Sequence, residues 1–191
     1  MFEEFRVYLR ALEPEDYKKS IKWRNDNEIW SMLAGPKYFV SEEFEKKWVE
    51  DSIFNNSNKL VLSVCLKNTN EHIGYVYLNN IDWKNRSASF AKLIGDKESW
   101  GKGYAKEITL LMLYHAFYVM GLIRIEARQL LGNIGSIKAN EKCGFKNEGV
   151  LRKAVFKDGK YQDLNLMSII REDFDTVLSN YKSGKVSGDK I

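Results

Sequence analysis

Ile94-Gly95-Asp96-Lys97-Glu98-Ser99-Trp100-Gly101-Lys102-Gly103-Tyr104-Ala105 sets a glycine-paired turn between a short strand and a long apolar helix. Gly101 and Gly103 carry no Cβ, so the turn can enter left-handed conformations and bring successive backbone N–H groups to one point. The helix that follows adds unpaired amides and a partial positive charge at its N-terminus. Together these make a cradle for a diphosphate. Two better-known phosphate loops are excluded. No segment supplies G-x-x-x-x-G-K-[ST], and Lys106 stands where a dinucleotide fingerprint needs its third glycine. A G-x-G turn also serves plain strand-to-helix geometry, so the rest of the chain has to decide.

The bulk numbers bound the answer. A chain of 191 residues buries one good core and is short for two full domains. Hydrophobic content of 44% with 29% charge places it among ordinary soluble globular proteins. The opening Met1-Phe2-Glu3-Glu4 lacks an apolar run, so no secretory signal is expected. The most apolar stretch, Ile108 to Ile125, is interrupted by His115, Gly121 and Arg124 and reads as a buried helix and strand, not a membrane span. Cys65 and Cys143 are too few for a disulfide framework, which suits a reducing cytoplasm, and with only His72 and His115 no metal signature forms. The net charge of +4 is spread along the chain, without the basic stripe of a nucleic-acid binder, yet it favours an anionic cofactor.

Arg6 to Arg10 alternates as a first strand, and Pro14 opens a helix carrying Tyr17, Ile21 and Trp23. Ser41 caps a second helix with acids in its first turn and Phe44, Trp48 and Val49 on its inner side. Leu60–Leu66, Ile73–Asp82 and Ser87–Ile94 read as strands, Gly103–Met120 as the long helix, and Ile123–Arg128 as the next strand. Ile134–Lys142 is a short helix, and Val150–Phe156 pairs with Tyr161–Ile170 around Asp158-Gly159, a strong hairpin signal. A last short helix is expected to reach about Tyr181, with a disordered end beyond it. The expected architecture is a single α/β (α+β) domain over residues 1–175, with a tail, 176–191, that is partly disordered. Its mixed, mostly antiparallel sheet has about seven strands and helices on both faces.

This order, with the residues inside it, resembles the GNAT superfamily of acetyl-CoA-dependent N-acetyltransferases. Gly101-Lys102-Gly103-Tyr104-Ala105 looks like its pyrophosphate loop, and Asn133-Ile134-Gly135-Ser136 through Glu141-Lys142-Cys143-Gly144-Phe145 looks like its second cofactor block. Glu148-Gly149-Val150-Leu151-Arg152 with Asp158 to Asp163 is similar to its closing hairpin. The resemblance runs from about Val7 to Ile170. It points to the branch containing the ribosomal-protein N-terminal acetyltransferases, with polyamine and amino-sugar acetyltransferases as near relatives.

The resemblance implies acetyl-CoA as co-substrate and no metal. The amides of Gly101 to Ala105, flanked by Trp100 and Lys102, would hold the pyrophosphate. Leu93 and Ile94 would offer strand-edge groups to the pantetheine arm, with the Ile94 amide polarising the thioester. Asn133 and Ser136 would touch the same arm, or cap their helix. An amine attacks only when unprotonated, so a carboxylate base is expected, and Glu126 holds the corresponding strand position, unless it pairs with Arg124 or Arg128. Asn140 stands where many family members place a tyrosine acid, Ser89 replaces a glutamate of this branch, and Glu98 sits where the loop usually has Gln or Arg. Tyr104, Tyr161, Asp163 or water are then alternative proton carriers. The two thiols lack a neighbouring base, which favours direct transfer in a ternary complex.

Trp23, Arg24, Asn25 and Trp30 would line the acceptor pocket, with core packing as the competing role for the tryptophans. The favoured acceptor is a protein N-terminal amine, then an amino sugar. A polyamine would call on Glu13, Glu15, Asp26 and Glu28. The contrasting possibility, raised by Asn140 and Ser89, is a CoA-binding regulatory module without catalysis. Partners are expected to be a small-molecule or peptide amine, not nucleic acid or membrane, and both monomer and homodimer stay open.

Overall fold

The computed structural model describes residues 2–35, 39–54 and 57–182. Strand β1 (Val7–Ala11) leads through a 3-10 turn (Pro14–Asp16) into α1 (Tyr17–Arg24), α2 (Asn27–Met32) and α3 (Glu42–Phe54). β2 (Leu60–Leu66), β3 (His72–Asp82) and β4 (Ser87–Ile94) follow. A second 3-10 turn (Lys97–Ser99) precedes α4 (Tyr104–Tyr114), which runs on as a π-helical turn, His115–Val119. β5 (Arg124–Leu130), α5 (Ile134–Glu141), β6 (Lys146–Lys157), β7 (Lys160–Ile170) and α6 (Arg171–Lys182) complete the chain. The short helix α2 went unread in the sequence. Its start is made by Asp26, whose carboxylate accepts from the Glu28 and Ile29 amides.

The seven strands form one sheet in the order β1-β2-β3-β4-β5-β7-β6. Every neighbouring pair is antiparallel except β4 with β5. Side chains alternate across the sheet as the two-residue period demands. On β3, Val76 and Leu78 join a core formed with Ile108, Met112 and Phe117 of the α4 segment and Phe174 and Leu178 of α6. Tyr75 faces the opposite core, with Leu12, Trp23 of α1, Ile29 of α2 and Val49 of α3. Helices thus cover both faces. Because Leu178 packs into the first core, the folded unit extends past residue 175, and the boundary expected at 176 falls inside α6. The expected disordered end, 183–191, lies outside the described residues. Among the described residues no helix is long and apolar enough to cross a membrane.

One feature of the sheet positions everything else. β4 and β5 pair only from Ser87↔Arg124 to Phe90↔Ala127. Beyond that point Ala91–Ile94 pairs only with β3, and Arg128–Leu130 only with β7. The two strands part, and each presents one backbone edge to the gap.

A partly buried ion pair fastens the start of α1 to the sheet. Arg10 Nη1 and Nη2 donate to Asp16 at 2.8 and 2.7 Å, and Ser63 Oγ and the Glu13 amide add bonds of 2.7 and 2.9 Å. Burial alone would raise the Asp16 carboxyl, but these donors outweigh it and hold the group well below the usual carboxylate range. A depressed folded pKa contributes stability above the unfolded value and loses it on acidification. Asp16→Asn should therefore cost about 2 kcal/mol at pH 7, and the gap to the parent protein should close as pH falls below about 4 in urea titrations.

Gly95 carries a second prediction. A Cβ there would lie 2.0 Å from the Trp23 ring. Gly95→Ala should displace that ring and lower stability by about 2–3 kcal/mol, read as a shift in denaturation midpoint without a change in slope.

Candidate active site

The glycine turn ends as its composition predicts. Gly101 and Gly103 hold φ of 73° and 82°, a region in which L side chains are strained, and Gly103 is the N-cap of α4. Arg6, just before β1, braces the turn at the cleft wall. Its Nε and backbone N donate to the two Glu107 carboxylate oxygens, each at 2.7 Å, and its Nη2 donates to the Lys102 carbonyl at 2.8 Å. The guanidinium also stacks on the Tyr104 ring, 4.6 Å from its centroid. Arg6 thus engages the acid of the α4 first turn, leaving the loop amides and helix dipole facing open space.

That space is a cleft of about 1080 Å³. Leu93, Ile94, Trp100, Gly101, Lys102, Gly103, Tyr104, Ala105, Asn133 and Ser136, the residues expected at the cofactor, all line it. Lys106, Lys138 and Lys142 add positive charge to its wall. The chemistry fits a long anionic ligand with a diphosphate at the α4 end. Glu98, the unfavourable departure in the loop, does not line the cleft; its amide donates to Asp96 instead.

Two details depart from expectation. The Ile94 carbonyl accepts from Trp100 Nε1 at 2.8 Å, so this edge group is engaged within the protein. Asn133, not Ser136, caps α5: its Oδ1 accepts from the Ser136 amide at 3.1 Å, while its Nδ2 donates to the Met32 carbonyl at 2.9 Å. Asn133 therefore ties α5 to α2 as well as facing the cleft.

A second cavity, about 410 Å³, opens on the other side of the parted strands and shares Met32, Leu33, Lys92, Leu93, Asn133 and Ser136 with the first. Polar side chains bridge the gap. Lys92 Nζ donates to Asn140 Oδ1 at 2.7 Å, and Asn140 Nδ2 donates to Gln129 Oε1 at 3.2 Å. The direction is forced, because an ammonium only donates and Asn140 must turn its oxygen toward it. Gln129 is 6% exposed, and its Nε2 has no partner in the described structure. Asn140 is only 1% exposed with both amide atoms engaged, so the catalytic role considered for it reduces to positioning.

The charge of the second cavity is one-sided. Arg24, Lys59, Lys92 and Arg128 line it, and no lining residue among those described is acidic. Arg24 has the buried Glu45 behind it, 3.3 Å away, and stacks on Trp48; Arg128 pairs with Glu126 at 2.8 Å. Lys59 donates to Ser52 Oγ, and neither it nor Lys92 meets a carboxylate among the described residues. Burial lowers the Lys92 ammonium to about 8, against a smaller opposing influence of Cys143.

The remaining expected residues divide. Arg24 and Trp30, expected at an acceptor pocket, line the second cavity. Trp23 and Asn25 line neither: Trp23 is a core ring against His72 and Tyr75, and Asn25 bonds the backbone of Ile21 and Val40. Glu126 lines neither cavity and takes its alternative role, accepting from Arg128 and, at 3.3 Å, from Ser89. Tyr161 and Asp163 also stand outside both cavities, while Tyr104 lines the cofactor cleft. Glu15, Asp26 and Glu28 are in surface pairs with Lys18 and Lys97. Cys65 and Cys143 are buried, and burial pushes the Cys143 thiol up to about 11. Sequence reasoning missed Arg6, Lys92 and Gln129. Lys92 carried one available signal, the single charged side chain of its strand.

With this geometry in view, comparison with known proteins is informative. Residues 6–146 match the family described as "Acetyltransferase (GNAT) domain". The Spermidine N(1)-acetyltransferase of Vibrio cholerae is 30% identical over 169 residues, covering 88% of this chain and 95% of that protein. The crystal structure of spermidine N-acetyltransferase from Vibrio cholerae in complex with CoA and spermine matches with a TM-score of 0.81 at 28% identity, over 88% of this chain and 98% of that one. The Ribosomal-protein-serine acetyltransferase of Escherichia coli is 25% identical over 146 residues, 75% of this chain and 81% of that protein. The expected leaning toward the ribosomal branch finds weaker support than similarity to the spermidine enzyme, which is greater in both identity and extent. The non-catalytic alternative loses its ground as well, and the chain belongs to the GNAT family of acetyltransferases.

Proposed function

We propose that the protein transfers the acetyl group of acetyl-CoA to the primary amine of an acceptor that also bears an anionic group. The single observation behind the acceptor class is the lining of the 410 Å³ cavity, four cationic side chains and no carboxylate among the described residues. That volume suits a small molecule or the end of a peptide. A carboxylate beside a peptide amine and a phosphate on an amino sugar share the required chemistry. A polyamine, suggested by the name of the Vibrio relative, would bring two or more ammonium groups against Arg24, Lys59, Lys92 and Arg128, an unfavourable meeting of like charges.

The arrangement also serves reactivity. Positive charge around the entering amine disfavours its ammonium form, so the lining itself raises the fraction of neutral nucleophile. No carboxylate need touch the amine; water in the cavity can accept its proton. On the donor side, the α4 amides and the Lys102 and Lys106 ammonium groups hold the diphosphate. Trp30 and Leu33 keep the acceptor wall in place because their carbonyls accept from Lys157 of β6.

Matched acceptors test the reading by thiol release from acetyl-CoA. Glucosamine 6-phosphate against glucosamine, and a peptide with Asp at its second position against one with Lys, should each differ at least tenfold in kcat/KM, a difference of about 1.4 kcal/mol, in favour of the anion. Arg24→Gln or Lys59→Gln should shrink that ratio through KM. Spermidine outperforming both anionic acceptors would reject the proposal.

The cofactor loop yields a separate expectation. Gly103→Ala forces a Cβ into left-handed backbone at a cost of about 1–2 kcal/mol. The KM for acetyl-CoA should rise roughly tenfold with kcat little changed. An unchanged KM would remove the diphosphate from this turn.

A further inference from the structure

Resting on the acetyl-transfer reading above, we propose that Lys92 is the catalytic acid, delivering a proton to the sulfur of the departing CoA thiolate. The position makes the case first. Lys92 lies on β4 just beyond the last rung shared with β5, and it lines both the cofactor cleft and the acceptor cavity. A group that joins the two chambers stands where the acyl donor and the amine must meet.

Elimination makes it second. Asn140 has its Oδ1 engaged by Lys92 and its Nδ2 by Gln129, and an amide does not give up a proton at neutral pH. Glu126, Tyr161 and Asp163 line neither cavity, and Tyr104 lines the cofactor cleft at its glycine-turn end, its ring under the Arg6 guanidinium and away from the strand gap. Cys143 is buried, with its Sγ directed to the Lys106 carbonyl at 3.6 Å. Lys92 alone among these has proton-donor capacity to spare at the gap: an ammonium has three N–H bonds, and one is used on Asn140. The Asn140–Gln129 relay fixes where the ammonium sits, so Asn140 is its positioning residue.

Chemistry agrees. The charged and titratable neighbours are the Cys143 thiol, Lys106 beyond it, and Tyr77, Arg24, Lys59 and Arg128 across the cavity; the carboxylates that line the cofactor cleft, Glu107 and Glu4, are bonded to Arg6 and Tyr181 instead of the lysine. Burial brings the ammonium to about 8, close to the range of an ordinary thiol and to working pH, as a general acid requires. The balance is simple. The neutral amine nitrogen forms a bond to the acetyl carbon, loses one proton to water, and the C–S bond breaks. Sulfur leaves with the bonding electrons and takes a proton from Lys92, and the neutral lysine is recharged from solvent.

The test uses Lys92→Met and Lys92→Arg in the full chain, with acetyl-CoA binding followed by calorimetry and folding by circular dichroism. Both variants should bind acetyl-CoA and lose about 10²–10³ in kcat, because arginine keeps the charge but has no proton to give at neutral pH. The parent enzyme's kcat should fall as pH rises through about 8, and that falling limb should be missing from both variants. An acetyl thioester of a more acidic thiol, which needs no proton to leave, should restore most of the lost rate. Full rescue by Lys92→Arg, or retention of kcat and of the alkaline limb in Lys92→Met, overturns the assignment while leaving acetyl transfer itself intact. A parent protein inactive with every amine would instead remove the reading beneath it.

Discussion

The separation of β4 from β5 after Phe90 and Ala127 is the constraint on which the site depends. A continuous sheet would satisfy the backbone groups of both strands and bury the space between them. Here each strand keeps one partner, β3 or β7, and offers its other edge. Exposed strand edges are costly unless something covers them. In this fold the cover is polar and incomplete: Lys92, Asn140 and Gln129 cross the gap and leave one buried amide donor unmatched. The gap connects a long, mainly cationic cleft to a smaller cationic chamber, which is the topology a group transfer between two substrates requires.

Helix α2 is held at this junction from three directions. Lys97, in the turn before the glycine loop, pairs with Asp26 and Glu28 at 2.8 and 2.7 Å. Asn133 at the start of α5 donates to the Met32 carbonyl, and Lys157 of the distant hairpin donates to the carbonyls of Trp30 and Leu33. These donors reach carbonyls of the last α2 turn and its cap, where the helix's own ladder runs out and the Trp30 carbonyl otherwise accepts only from the Leu33 amide. A six-residue helix has little stability of its own. These contacts place it between the two cavities, and they couple the acceptor wall to both cofactor blocks.

Much of this was legible in the chain. Strand and helix order followed from period, caps and turn residues, and Asp158-Gly159 closed its hairpin with both residues at positive φ. The cofactor residues were legible because a glycine turn before a helix is local chemistry written in adjacent positions. For Trp23 the choice between pocket and core, and for Asn25 its place outside both cavities, could not be read locally because their neighbours are remote. A ring pressed on Gly95 and an amide bonded to Val40 cannot be distinguished, in one dimension, from side chains that face a ligand. Glu126 raised the same difficulty, since its strand position is compatible both with a base and with the ion pair to Arg128 that the fold forms.

Local pattern determined that this protein has a glycine turn poised for a diphosphate, a single sheet with helices on both sides, and a fold shared with the acetyltransferases. Those features depend on residues within a few positions of one another, where backbone sterics and periodicity act directly. Tertiary structure alone decided which charges share a cavity. Arg24, Lys59, Lys92 and Arg128 come from α1, the approach to β2, β4 and β5, and nothing in their spacing announces that they converge while the chain's acids turn elsewhere. Electrostatic character belongs to a volume of space, and a volume exists only after the strands have parted and the helices have closed over them.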